Sequence, residues 1–353
     1  MSQWTTRLAL ILGFMVLTLL FASFWLPMSI TTPSSTEIRA AMDIGSGATN
    51  LKVAKVDPTT GKIISKIYEQ SIPVPYQKHL EFSPNNTFDR EVMEQGILAI
   101  KNLKKVADAH HAKKVVAVAT AAFRQADNAK EFAQEIENQT GVQVQIIDQD
   151  EEGILAFRGA LAVTPHVEPA EVVTWDIGGG SMQLTTLSEQ GAFLIEKGQT
   201  ASIPFKNAII QQIKGNDIQA QPSPNPLNQA EVEQALHYAQ QKAQQTDSYI
   251  KDKINTPTTQ VLGVGSLFNY GILRLVHQDQ QMTVTQEQLK KAIQNLVDKT
   301  DADMVEKGPL AEVSVSNPLL VLGYMQALNI PQVDIVNINN ADGALTYPPY
   351  WEK

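Results

Sequence analysis

The segment VTWDIGGGSMQL, residues 173–184, decides the fold. An apolar run ends in Asp176, Ile177 follows, and three glycines and Ser181 precede further strand-like positions. A charge at the end of a strand, followed by positions without side chains, lets backbone N–H groups approach and cradle an anion. A milder echo, AAMDIGSGATNLKVAKV, occupies residues 40–56. One such turn is most simply an ordinary hairpin. Two, each opening a three-stranded run in its half of the chain, point to a duplicated domain. Ligands of α/β sheets bind at the carboxyl ends of strands, where Asp43 and Asp176 stand. Neither carboxylate can touch a phosphate without repulsion, so each is expected to hold Mg²⁺ or Mn²⁺ through water.

The order of elements repeats around these turns. AAMDI, LKVAKV and KIISKIYE read as antiparallel strands, the last two joined at DPTTG (57–61). Thr87 is placed to cap an amphipathic helix with apolar residues at 92, 93, 97, 100 and 103. VVAVAT is a buried strand, NAKEFAQEIENQTG a helix closed by Gly141, VQVQII a strand and EEGILAFRGALA a helix. EVVTWDI, MQLTTL and AFLIEK begin the series again. A helix capped by Asn228 with Glu231 three residues on follows the loop QPSPNPLN, and TQVLGVG and VDIVNI are later strands. Strands alternating with helices predict a mixed sheet flanked by helices in each half.

With 353 residues the chain is long enough for two domains with proper cores. Its net charge of −9 excludes a general nucleic-acid binder and requires a local basic channel for any polyanionic ligand. The absence of cysteine rules out disulfides, thiolate metal sites and cysteine nucleophiles. Residues 8–26, LALILGFMVLTLLFASFWL, are uncharged and approach the ~20 residues that span a bilayer. No small-x-small cleavage site follows, so an uncleaved anchor is preferred to a cleaved signal. Arg7 before the run and Glu37 after it place the globular part outside the cytoplasm. The expectation is a single-pass inner-membrane protein whose globular part is periplasmic.

DIGSG (43–47), DIGGGS (176–181) and GVGS (263–266) resemble the paired phosphate loops of the actin-like ATPase superfamily. Within it, ATAAFRQADN (119–128), DQDEEGILAFRGAL (148–161) and the tail VDIVNINNADGAL resemble the exopolyphosphatase/guanosine pentaphosphatase (Ppx/GppA) family, in the right order from about Ala40 to about Leu345. The resemblance implies an α/β fold of two actin-like, ribonuclease H-like lobes, at 38–165 and 166–353, with the active site in the cleft between them. The membrane anchor and linker would occupy 1–37. The resemblance also implies a phosphohydrolase that cleaves a terminal phosphate from inorganic polyphosphate or guanosine pentaphosphate, and it leaves room for a homodimer. Glu152 matches the catalytic base and Arg124 the phosphate-gripping arginine. Gly45, Ser46, Gly47, Gly178, Gly179, Gly180, Ser181, Gly263, Gly265 and Ser266 would cradle phosphate, and Asp43 and Asp176 would position the metal.

Taken alone, Glu151 and Glu152 are equally a dipole-favoured helix start, and Arg124 a partner for Asp127. Residues adjacent on a helix point about 100° apart, so Glu151 is expected to matter less than Glu152. Three positions depart from the family pattern. Gln183 stands where it has glutamate, Gly47 where it has a polar residue, and Thr346 where it has arginine. An amide at 183 cannot supply the charge of a carboxylate, and a glutamate restored there is expected to raise the rate. A catalytically reduced binding or sensory module is therefore the rival reading. An actin-like ATPase or kinase is a third, without an evident adenosine signature.

Overall fold

The computed structural model describes residues 36–276 and 282–352. Strands β1 (Glu37–Ile44), β2 (Ala48–Val56) and β3 (Ile63–Pro73) form an antiparallel meander. Helices α1 (Tyr76–Glu81) and α2 (Arg90–Ala109) lead to β4 (Val115–Ala119). Next come α3 (Ala121–Gln125), α4 (Ala129–Thr140), β5 (Val144–Ile146) and α5 (Gln149–Val163). The sheet order is β3-β2-β1-β4-β5, with β4 and β5 parallel to β1.

The second half repeats it. β6 (Val172–Ile177), β7 (Met182–Leu187) and β8 (Phe193–Gly198) are antiparallel. Then follow α6 (Ser202–Ala208), α7 (Gln229–Gln244), α8 (Ser248–Ile254) and β9 (Gln260–Val264). The chain closes with β10 (Thr283–Thr285), α9 (Gln286–Gln294), α10 (Ser316–Ala327), β11 (Gln332–Ile335) and α11 (Asn340–Thr346). The order β8-β7-β6-β9-β11 matches the first sheet, with β10 added at the edge. Corresponding residues share a register: Asp43 lies opposite Asn50 and Asp176 opposite Gln183.

Local chemistry explains most boundaries. Asn228 with Glu231 and Thr285 with Gln288 form capping boxes, and Gly141 closes α4 in the left-handed region at φ 72°. The start of α2 lies later than Thr87, because the Asp89 carboxylate accepts the Val92 N–H. The Asp-Gly-Ala-Leu turn of the tail is the body of α11, capped by Asn339.

Two helices exchange lobes. α5 follows the first sheet but packs its Ala156, Phe157 and Ala160 with Val172, Leu262 and Val264 of the second. α11 follows the second sheet but buries Ala341, Ala344 and Leu345 against Ala41, Ala54 and Val118 of the first. They cross at glycines: a Cβ on Gly343 would collide with the Leu155 carbonyl. Asp342, 1% exposed, lies 3.6 Å from the buried Lys52 ammonium of β2 and fixes α11 there.

The transmembrane helix expected ahead of the lobes is corrected, and with it the single-pass inner-membrane localisation. Residues 8–26 lie outside the described residues. Among the described residues no helix is long and apolar enough to cross a membrane. The apolar α10 has 12 residues, where a bilayer needs about 20. The expected bilayer contact and the homodimer gain no support among the described residues.

Candidate active site

The two glycine turns are built alike and meet. In the first, the Gly45 N–H donates to the Ala48 carbonyl at 3.0 Å; in the second, Gly178 donates to Ser181 at 3.0 Å. The Gln77 N–H at the start of α1 donates to the Ser46 carbonyl at 2.9 Å, and the Ile203 N–H at the start of α6 to the Gly179 carbonyl at 2.9 Å. Each turn thus has its carbonyl tied back by the first turn of a short helix. The N–H groups of Ser46, Gly47, Gly179 and Gly180 find no backbone acceptor among the described residues. A Cβ on Gly179 would come within 2.6 Å of the Ser46 Cβ, so the turns touch across the cleft.

Arg124 is aimed by its neighbour. Phe123 of α3 is buried and stacks on Phe132 of α4 with ring centroids 5.2 Å apart, which leaves the arginine facing the cleft. Its Nη2 donates to Glu152 Oε2 at 2.7 Å and to Ser181 Oγ at 3.0 Å, and its Nη1 to the Ile147 carbonyl at 2.9 Å. The alternative pairing with Asp127 does not form: Asp127 accepts from Asn86. Glu152 lies in the first turn of α5, which Asp148 caps through the Glu151 N–H at 2.8 Å. It is 5% exposed. Gln183 Nε2 donates to the same Oε2 at 3.1 Å, and Ser181 Oγ reaches it at 3.2 Å. Among the described residues Oε1 is left with Ser181 alone at 3.4 Å. The carboxylate of Glu151 is bound instead by the Tyr350 hydroxyl at 2.6 Å.

Asp43 and Asp176, at corresponding strand ends, are both buried. Burial pushes the Asp43 carboxyl up to about 7; the charge of Glu152 adds to the effect and the nearby Asn340 amide offsets part of it. Burial raises Asp176 well above the usual carboxylate range, with Glu152 and Asp43 contributing and Arg124 opposing. Burial also raises Glu152, against the opposing charge and hydrogen bonds of Arg124 and the hydrogen bonds of Ser181 and Gln183. Two of the three buried carboxylates, Glu152 and Asp176, therefore share one guanidinium. Asp43 Oδ1 has no hydrogen-bond partner among the described residues. Among the described residues no three His, Cys, Asp or Glu side chains close on a common metal position. That donor set suits a hydrated divalent cation better than one ligated directly.

The third glycine motif divides. Gly265, at φ 88°, lies directly against the Asp176 carboxylate, where any side chain would displace it. Gly263 is inside β9, and a Cβ there would meet Val333 and Phe268, so its role is packing. Ser266 is exposed. Sequence reasoning missed Asn340, whose buried side chain adjoins Asp43, and Gln77, whose Oε1 lies 3.1 Å from where a Gly180 Cβ would stand. The first lies within the tail motif, which assigns it no role, and nothing in the sequence flags the second.

A model of the Ppx/GppA phosphatase family matches residues 79–339. A solved Ppx/GppA family member from Aquifex aeolicus superposes with a TM-score of 0.68 at 19% identity, covering 88% of this chain and 97% of that one. An exopolyphosphatase from Cytophaga hutchinsonii gives 0.67 at 16%, covering 88% and 96%. These likenesses show the two-lobed actin-like fold. A bifunctional 3-dehydroquinate synthase/phosphatase from Fusobacterium nucleatum is 26% identical over 158 residues, which span 44% of this chain and 24% of that protein. The match to the family model covers well over half of the sequence, and the chain belongs to the Ppx/GppA phosphatase family.

Proposed function

We propose that the chain removes the terminal phosphate of inorganic polyphosphate or guanosine pentaphosphate, with Glu152 as the base that activates water. The observation that carries this reading is the asymmetry of the Glu152 carboxylate. Oε2 is held by donors on Arg124, Gln183 and Ser181 at 2.7, 3.1 and 3.2 Å, while Oε1 has one long contact. A carboxylate anchored through one oxygen presents the other to water in a fixed direction, and its raised proton affinity favours proton transfer near neutral pH. In the reaction Oε1 takes a proton from water, the water oxygen bonds to the terminal phosphorus, and the phosphoanhydride bond breaks toward the shortened chain. Arg124 and the N–H groups of Ser46, Gly47, Gly179 and Gly180 surround the phosphoryl oxygens. Asp43 and Asp176 would hold Mg²⁺ or Mn²⁺ through water, consistent with their burial and the unpartnered Oδ1 of Asp43. Bound there, the ion would offset the charge of the phosphoryl oxygens. The exopolyphosphatase among the structural relatives supports the substrate class.

Gln183 favours a second reading, a module that binds polyphosphate or a nucleotide without turnover, because the amide lacks the carboxylate of the family pattern. Phosphate release by the full chain from polyphosphate, guanosine pentaphosphate and ATP, with Mg²⁺ and with excess chelator, separates the readings. Release from either of the first two, lost in chelator, supports the hydrolase. Binding without release supports the module, and release from ATP alone supports an ATPase.

A further inference from the structure

The short helices that brace the two glycine turns are joined at their far ends. α1 runs from the Ser46 carbonyl to Glu81 and is held in the first lobe by buried Tyr76 and Leu80. α6 runs from the Gly179 carbonyl through Lys206 and Asn207 and is held in the second lobe by buried Phe205. Glu81 Oε1 accepts from Asn207 Nδ2 at 2.6 Å and from Lys206 Nζ at 3.4 Å. The Glu81 carbonyl accepts from Gln219 Nε2 at 3.2 Å. Lys206 is 1% exposed, and its ammonium is otherwise met by the Pro222 carbonyl at 3.0 Å and by Glu312 at 4.0 Å. A buried ammonium is stable only when paired and hydrogen-bonded, so Glu81 matters more to Lys206 than a surface partner would.

We infer that Glu81, Lys206 and Asn207 form a latch between the lobes that positions the two phosphate turns. Each turn is tied to one end of a helix about 10 Å long, and the latch ties the other ends together. With the latch made, Ser46 and Gly179 touch and Arg124 reaches Glu152 and Ser181. With it broken, the lobes separate by rotation about the α5–α11 crossing, and the turns part to admit or release a phosphate chain. Closure then restores the register in which both turns and Arg124 face one phosphoryl group. None of the three touches the reacting atoms; they are positioning residues.

The latch is tested first without any substrate. The chain has no cysteine, so Asn102→Cys and Gln244→Cys, at exposed sites on α2 and α7, take spin labels at these two positions alone. The full chain with Glu81 intact should give one narrow distance distribution between the labels. Glu81→Ala should add a longer-distance population, and Asn207→Ala should do the same if the first variant does not fold. Distributions unchanged in a folded variant would overturn the latch. The kinetic arm rests on the hydrolase reading above. Glu81→Ala should lower kcat for polyphosphate by about tenfold, as expected for losing a hydrogen bond to a charged group, with KM changed by less than about threefold. Glu81→Gln keeps an acceptor for both partners but not the charge that pairs Lys206, so it should recover part of the rate; recovery no better than with alanine would count against the latch. If the wild-type chain releases no phosphate at all, the hydrolase reading fails while the label distances still decide the latch.

Discussion

Replacing Gln183 by glutamate sets a second carboxylate against the proposed base. In the native chain the Gln183 amide donates to Glu152 Oε2 at 3.1 Å. With two unit charges at that separation and an effective dielectric constant of about 20, the repulsion is about 5 kcal/mol, equivalent to three or four pH units. Arg124 already donates to the same oxygen and cannot fully offset a second charge. The pair would share a proton, and Glu152 would be charged only at higher pH. The sequence alone argues for a gain of rate from this change; the hydrogen bond argues for a loss whenever metal is scarce. The assay is phosphate release from polyphosphate against pH, at low and at saturating Mg²⁺. At low Mg²⁺ the rising limb of the Gln183→Glu profile should lie about two units or more above that of the wild type, and added Mg²⁺ should draw it back. Rising limbs that coincide at low Mg²⁺ would refute the contact between residue 183 and the base.

Other outcomes follow from the same geometry. The Asp43 carboxyl has its ordinary value of 3.8 when unfolded and about 7 when folded, so the native state binds the extra proton. Its contribution to stability is complete below 3.8 and is lost as the pH rises to about 7. Denaturant melts in metal-free buffer should therefore show stability falling across that window, with a shallower slope in Asp43→Asn. Asp176→Asn should abolish Mg²⁺-dependent phosphate release while the fold survives; activity undiminished in excess chelator would remove the metal role from both aspartates. Gly343→Ala forces apart the α5–α11 crossing and should cost roughly 2–4 kcal/mol in urea unfolding, an overpacking penalty near the upper end of the usual range.

What the sequence shows about this fold is the part written in local chemistry. Gly141 ends its helix because a left-handed residue is needed there, and Asn228 with Glu231 begins one because both side chains satisfy free N–H groups nearby. The duplication is visible because strand, aspartate and glycines recur in order. The true start of α2 is less legible: Thr87 and Asp89 are both good caps, and only the packed structure selects Asp89. Long-range partners leave no local trace. Nothing around α5 tells that it packs on the second sheet, and nothing in the tail tells that Asn340 reaches Asp43. Gln183 reads as a lost carboxylate until its amide is seen donating to Glu152. The same holds for Glu81 and Lys206, separated by 125 residues and joined across the two lobes.

The most direct test of Glu152 as the base is a single-turnover comparison of wild type with Glu152→Gln, on polyphosphate with saturating Mg²⁺ and with binding measured in parallel. The substitution keeps the size of the side chain and relieves the repulsion that Glu152 exerts on Asp43 and Asp176, so the variant should fold and bind. Its rate of phosphate release should fall by roughly 10²- to 10⁴-fold. A variant that binds polyphosphate as the wild type does and still releases phosphate at an undiminished rate would contradict the account.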